Sequence, residues 1–159
     1  MSKAKIQSIE QTEKNGLFTI CFENENQTEF EKFYNRFKND AVCKDDLHTI
    51  LTALNRMLQI SGFLERYFRP EGKMKDGVCA LPIESGKLRL YCLRLSDYVL
   101  IVGNGGRKAT KTYNENSELN GYVISLQNLD SLIKVAVRKG DITIENGVIN
   151  GIDEKVFDI

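Results

Sequence analysis

The spacing of apolar residues along the chain changes period several times, and each change marks an element. Leu17 to Glu23 reads as a strand introduced by the turn signal Asn15-Gly16. Thr28-x-x-Glu31 then has the form of a capping box. Phe30, Phe33, Tyr34 and Phe37 follow at i, i+3, i+4, i+7, which predicts an amphipathic helix with an aromatic core stripe. A second helix opens with Asp45 and Asp46, whose charges suit the positive end of its dipole, and buries Leu47, Ile50, Leu51, Leu54 and Leu58. It must stop before Pro70, and Gly62 is a candidate break that leaves Phe63 to Phe68 as a separate turn.

Beyond Pro70 the period falls to two. Val78 to Ile83 is a short apolar run in which Pro82 removes one ladder donor, so it should lie at a sheet edge or end there. Lys87 to Leu95 alternates, with Lys87, Arg89 and Tyr91 on one face and Leu88, Leu90 and Cys92 on the other; Arg94 falls opposite Arg89 and reads as structural. Tyr98 to Gly103 is the most apolar stretch and should be central. A two-residue Ser96-Asp97 loop would set Arg89 opposite Asn104 and Lys87 opposite Gly106, gathering Lys87, Arg89 and Arg107 at one end of the sheet.

Downstream, Leu119, Tyr122, Leu126, Leu129, Ile133 and Ala136 recur at helical spacing, with a possible fray at Gly121. The helix ends on Arg138, Lys139 and a stop at Gly140. Asp141 to Ile149, interrupted by Asn146-Gly147, predicts a closing hairpin. The expected class is α+β: an antiparallel β-sheet with a helical pair packed on it, plus a C-terminal helix and hairpin, in one domain spanning residues 1–159.

Composition adds exclusions. At 42% hydrophobic and 28% charged residues the chain resembles an ordinary globular protein. Its apolar runs fall far short of the roughly 20 residues of a membrane span, and the N-terminus has no apolar signal stretch, so a cytoplasmic location away from membranes is expected. Cys21, Cys43, Cys79 and Cys92 form no C-x-x-C pair and read as small buried hydrophobes; His48 stands alone and reads as a surface residue. No metal site or cofactor is expected. Asp153, Glu154 and Asp158 read as a solvated tail.

Charge changes the picture more. The chain is formally neutral, yet residues 61–113 hold ten Lys and Arg against five Asp and Glu, while both flanks are net acidic. A local field of this kind attracts phosphates even on a neutral molecule, because salt confines each charge to about 8 Å. Gly103, Gly105 and Gly106 match neither dinucleotide nor P-loop spacing and read as a tight strand-exit loop.

The helical pair, the basic loop, the strand KLRLYCLRL, its apolar partner YVLIVG and the run GGRKATKTY together resemble the RelE/HigB-like bacterial toxins of the RelE/ParE fold, over about residues 43–116. The resemblance leaves N- and C-terminal extensions. It implies the toxin of a toxin–antitoxin pair: RelE-type members cut mRNA in the ribosomal decoding site and are silenced by a cognate antitoxin, whereas ParE-type members poison DNA gyrase. Fold alone does not choose between them. Carried over by position, the arginine of the first central strand is Arg89, and the basic residue six before a tyrosine is Arg107 with Tyr113. The lysines ahead of that strand have counterparts among Lys73, Lys75 and Lys87, with the loop allowing no unique match.

The chemistry supports such residue types independently. Metal-free RNA cleavage needs a base for the 2′-hydroxyl, cations for the pentacovalent phosphorus and a donor for the leaving 5′-oxygen. Arginine suits the middle task, since its guanidinium stays charged and grips phosphate in a fork. Tyr113 could orient the hydroxyl, exchange a proton or stack on a base, and reads equally as a core or lid tyrosine. Lys87, Lys108 and Lys111 are open between acid, base and phosphate anchor. A non-catalytic interaction protein on the same scaffold, binding a protein target or nucleic acid, is the alternative expectation.

Overall fold

The structure, a computed structural model, describes residues 2–71, 76–81, 86–108 and 117–159. Nine strands and three α-helices are found among them, in the order β1 (Lys3–Gln11), β2 (Gly16–Phe22), α1 (Glu29–Phe37), α2 (Lys44–Arg56), β3 (Arg69–Pro70), β4 (Val78–Leu81), β5 (Leu88–Arg94), β6 (Val99–Arg107), α3 (Ser117–Lys139), β7 (Thr143–Glu145), β8 (Val148–Asn150) and β9 (Phe157–Asp158). Seven strands form one mostly antiparallel sheet in the order β3-β4-β5-β6-β2-β1-β9, while β7 and β8 make a separate hairpin. The α+β expectation holds, with β1, β3 and β9 added to the strands that periodicity found.

Helices cover both faces of the sheet. Leu88, Leu90, Cys92 and Val102 pack with Phe33, Phe37, Leu47, Ile50 and Leu54 of the helical pair. Tyr91, Leu93, Ile101 and Ile20 pack with Leu119, Val123, Leu126, Leu129 and Ile133 of α3 and with the C-terminal isoleucines. β6 is central and its residues from Val99 to Gly106 are all buried, as its apolar run predicts.

Local signals work where they are chemical. Thr28 closes a full capping box: its hydroxyl accepts from Glu31 N at 3.1 Å and Thr28 N donates to Glu31 Oε1 at 3.0 Å. Beyond α2 a π-helical turn, Met57–Ser61, ends at Gly62 with φ +83°, and a 3-10 turn, Glu65–Tyr67, follows. β4 covers Val78–Leu81, and Pro82 and Ile83, the end of the expected run, lie outside the described residues. Helix α3 runs through Gly121 without a break and ends at Gly140, φ +82°. His48 is exposed.

Four expectations are corrected. Tyr34 is 40% exposed, so the aromatic stripe of α1 is core only at Phe33 and Phe37, with Phe30 partly buried. Cys21 is half-exposed, unlike Cys43, Cys79 and Cys92. The three glycines Gly103, Gly105 and Gly106 lie inside β6 rather than in a loop after it. The β5–β6 register also differs: Arg89 pairs with Gly106 and Leu88 with Arg107, because the turn spans Leu95 to Tyr98 and a bulge interrupts the ladder between Leu90 and Cys92.

Candidate phosphate site

The site begins at the open end of the β5–β6 ladder. Leu88 pairs with Arg107 and Arg89 with Gly106, and Lys108 N donates to Lys87 O at 2.7 Å, so Lys87, Arg89, Arg107 and Lys108 do meet at one sheet end. Directly paired residues point to the same face and neighbours to opposite faces. Arg107 therefore stands with Leu88 on the helical-pair face. Its field acts there on Asp40 and Cys43. Arg89 lies on the α3 face, and Lys108 acts with it there, whereas the charge of Lys87 acts with that of Arg107 on Cys43.

Two residues that periodicity did not reveal join this second group. Arg69 on β3 pairs with Ala80, which pairs with Tyr91, so the short edge strand delivers its guanidinium to the face of Arg89. Glu71 follows, its backbone N–H donating to Val78 O at 3.1 Å. A two-residue strand has no period to detect; the available signal was an arginine held extended by the proline after it.

The charges of these groups act on one another. Burial, and next the charge of Arg69, push the Arg89 guanidinium below its ordinary pKa. Lys108 is lowered by burial, then by Arg69 and Arg89. Glu71, half-buried, is raised by burial although Lys108, Arg69 and Arg89 all pull it down. Three cations thus crowd one carboxylate, and their mutual repulsion is relieved by any additional anion.

Arg89 is the anchor of the group. It is only 5% exposed, and Nη1 donates to Gly86 O at 2.9 Å and Leu88 O at 3.1 Å. Its buried Nε has no hydrogen-bond partner among the described residues. From α2, Asp46 Oδ2 accepts from Lys87 N at 2.8 Å and Leu88 N at 3.2 Å, fixing the start of β5. Asp46 thus does more than complement a helix dipole.

Glycine lets the strands approach. A Cβ on Gly105 would run into the Arg89 carbonyl oxygen and stand 2.9 Å from Leu90 Cα. Gly105→Ala should therefore lower stability by about 1–3 kcal/mol, read from urea unfolding. An unchanged midpoint would mean that β5 and β6 can separate at no cost.

Arg94 acts structurally, donating from Nε to Phe63 O at 2.7 Å and pairing with Asp97 at 2.6 Å. Tyr113, Lys73, Lys75 and Lys111 lie outside the described residues. Among the described residues no group of three or more His, Cys, Asp or Glu side chains could hold a metal ion, and no helix is long and apolar enough to cross a membrane. No family model, no curated protein and no solved structure matches the chain.

Proposed function

We propose that this sheet end binds an RNA phosphate, and that the chain is the toxin of a bacterial toxin–antitoxin pair, a metal-independent mRNA endoribonuclease acting at the ribosome and restrained by a cognate antitoxin protein. The observation that carries the reading is the buried Arg89, with Nε unpartnered among the described residues and the cations Arg69 and Lys108 acting on it or beside it. A phosphate at Arg89 receives charge-assisted hydrogen bonds and relieves the crowding of the three cations.

The proposed chemistry moves two protons. The Glu71 carboxylate takes the proton of the 2′-hydroxyl as its oxygen attacks the neighbouring phosphorus. Arg89 and Arg69 hold the charge that develops on the equatorial oxygens, and the Lys108 ammonium gives a proton to the leaving 5′-oxygen. The products are a 2′,3′-cyclic phosphate and a 5′-hydroxyl. Glu71 works ionised and Lys108 works protonated. The rate should thus rise with pH through the raised Glu71 value and fall through the lowered Lys108 value.

Arg107, exposed on the opposite face, favours a second reading, in which the strand end is gripped from both sides by a protein or nucleic-acid partner and nothing is cleaved. Induced expression in bacteria separates the two. Growth arrest with fragmented translated messages, relieved by Arg89→Ala or Glu71→Gln, is the expected result. Arrest with intact RNA would establish a target-binding poison instead, and normal growth with abundant folded protein would remove the toxin reading.

A further inference from the structure

β9 covers only the start of β1. It pairs with Lys3 and Ala4, whereas β1 runs on to Gln11 with no neighbour on that side among the described residues. The bonds at the start of the strand show which backbone groups are left open. Lys3 O accepts from Glu23 N at 2.9 Å on the β2 side, and Ser2 exchanges both its bonds with Ile159, at 3.2 and 2.8 Å, on the other. Successive residues of an antiparallel strand aim their N–H and C=O groups alternately at one neighbour and the other. Lys5 and Gln7 therefore serve β2, and the backbone groups of Ile6 and Ser8 point outward.

The side chains along this edge are exposed as well: Lys5 and every residue from Gln7 to Gln11, with Ile9 at 40%. Ile60, 77% exposed, follows Gln59, whose Nε2 donates to Glu10 Oε2 at 2.8 Å. Lys5 pairs with Cys21, Gln7 with Thr19 and Glu10 with Leu17, which places all three on the helical-pair face; the extra residue of the bulge, Ile9, turns Glu10 round to it. Neither Lys5 nor Glu10 makes an ion pair among the described residues. Charges on an edge strand deter strands that do not match them. A strand that fits must set a carboxylate against Lys5 and an ammonium against Glu10.

A second copy of the same strand meets that requirement. In antiparallel order, with a twofold axis through Gln7, Lys5 of each copy stands opposite Glu10 of the other and Ile6 opposite Ser8. Ile6 and Ser8 are the residues whose backbone groups point outward, so these pairs exchange ladder bonds, and Gln7 meets its own copy in the close, non-hydrogen-bonded position. We propose that β1 is a homodimer interface, through which two copies join their sheets edge to edge over residues 5–10. The pairing ends where β9 closes the edge at Ala4 and where the bulge bends the chain away toward the turn at residues 12–15, in which Thr12 N donates to Asn15 O at 2.8 Å. So short a pairing falls well below the ~20–30 residues a side of a stable interface, so the dimer is reversible, with a Kd of about 0.1 mM. The interface lies across the sheet from β3, so it does not touch the candidate phosphate site and stands apart from the reading of that site.

Sedimentation equilibrium of the full chain and its charge variants supplies the test. At about 0.5 mM the wild type should be mostly dimer. Lys5→Glu sets carboxylate against carboxylate across the axis and should weaken association by about tenfold or more, and adding Glu10→Lys to it should restore the dimer. The axis itself is tested by Gln7→Cys, in a Cys21→Ser background that removes the half-exposed thiol. Residues in the close antiparallel position lie about 4.5 Å apart between Cα atoms, within disulfide reach, so this variant should become a covalent dimer when diamide takes up the two thiol hydrogens. Circular dichroism checks that each variant is folded. A wild type that stays monomeric at this concentration overturns the interface. So does a dimer that Lys5→Glu leaves intact, or a Gln7→Cys variant that forms no crosslink.

Discussion

Exchanging Arg89 for methionine is expected to lower RNA cleavage by about 10²–10³-fold and leave the fold intact. The side chain is buried, carries a charge that burial and Arg69 both disfavour, and has an Nε without a partner among the described residues. A guanidinium stays charged at every ordinary pH, so this unfavourable contribution persists across the whole range. Removing a poorly compensated buried charge in favour of an apolar chain of similar reach is often neutral or stabilising, so Arg89→Met should unfold within about 1 kcal/mol of wild type or above it. Activity and stability then move in opposite directions. Cleavage assayed beside urea unfolding checks this, and retained cleavage, or a fall of several kcal/mol, would assign Arg89 to scaffolding instead.

Glu71→Gln carries the second large effect, because it separates binding from chemistry. It removes the carboxylate on which Lys108, Arg69 and Arg89 all act, so RNA and inorganic phosphate should bind more tightly at low salt. It also removes the group proposed to take the 2′-proton, and cleavage should fall by about 10²–10⁴-fold. Tighter binding with slower turnover is the signature. Stability gives a second readout. Because the folded pKa is raised, the fold prefers the protonated carboxyl; that contribution is full below the unfolded value and is lost as pH rises through the folded one. Wild type and Glu71→Gln should thus melt alike in acid, and the variant should melt higher near neutrality. Unchanged turnover would move the base elsewhere.

The sequence was legible where one face of an element is buried and the other is wet. Phe33 and Phe37, the leucines of α2, the alternation of β5 and the long α3 stripe all follow that rule. It fails for β1, in which only Ala4 and Ile6 are buried among nine residues, and for the two-residue strands β3 and β9. Register failed for a different reason: the turn is longer than the two residues expected and the bulge on β6 adds one more, each moving the pairing by one residue, and Gly103, Gly105 and Gly106 read as a loop rather than as the mark of a bulge. That shift matters to the site, since it sets Arg107 against Leu88 and brings Gly106 to Arg89. Arg69 and Glu71 were missed because their partners are assembled by strand pairing across the chain rather than by spacing along it.

The parallel ladder between β2 and β6 unites residues 16–19 with residues 99–102, more than eighty positions apart. Such distant contacts are slow to form, since a long loop must close before any of them contributes. During synthesis the N-terminal hairpin and the helical pair emerge well before the strand that completes the sheet. A nascent chain therefore holds no completed sheet end around Arg89 until β6 has left the exit tunnel, so the proposed phosphate site forms late in synthesis.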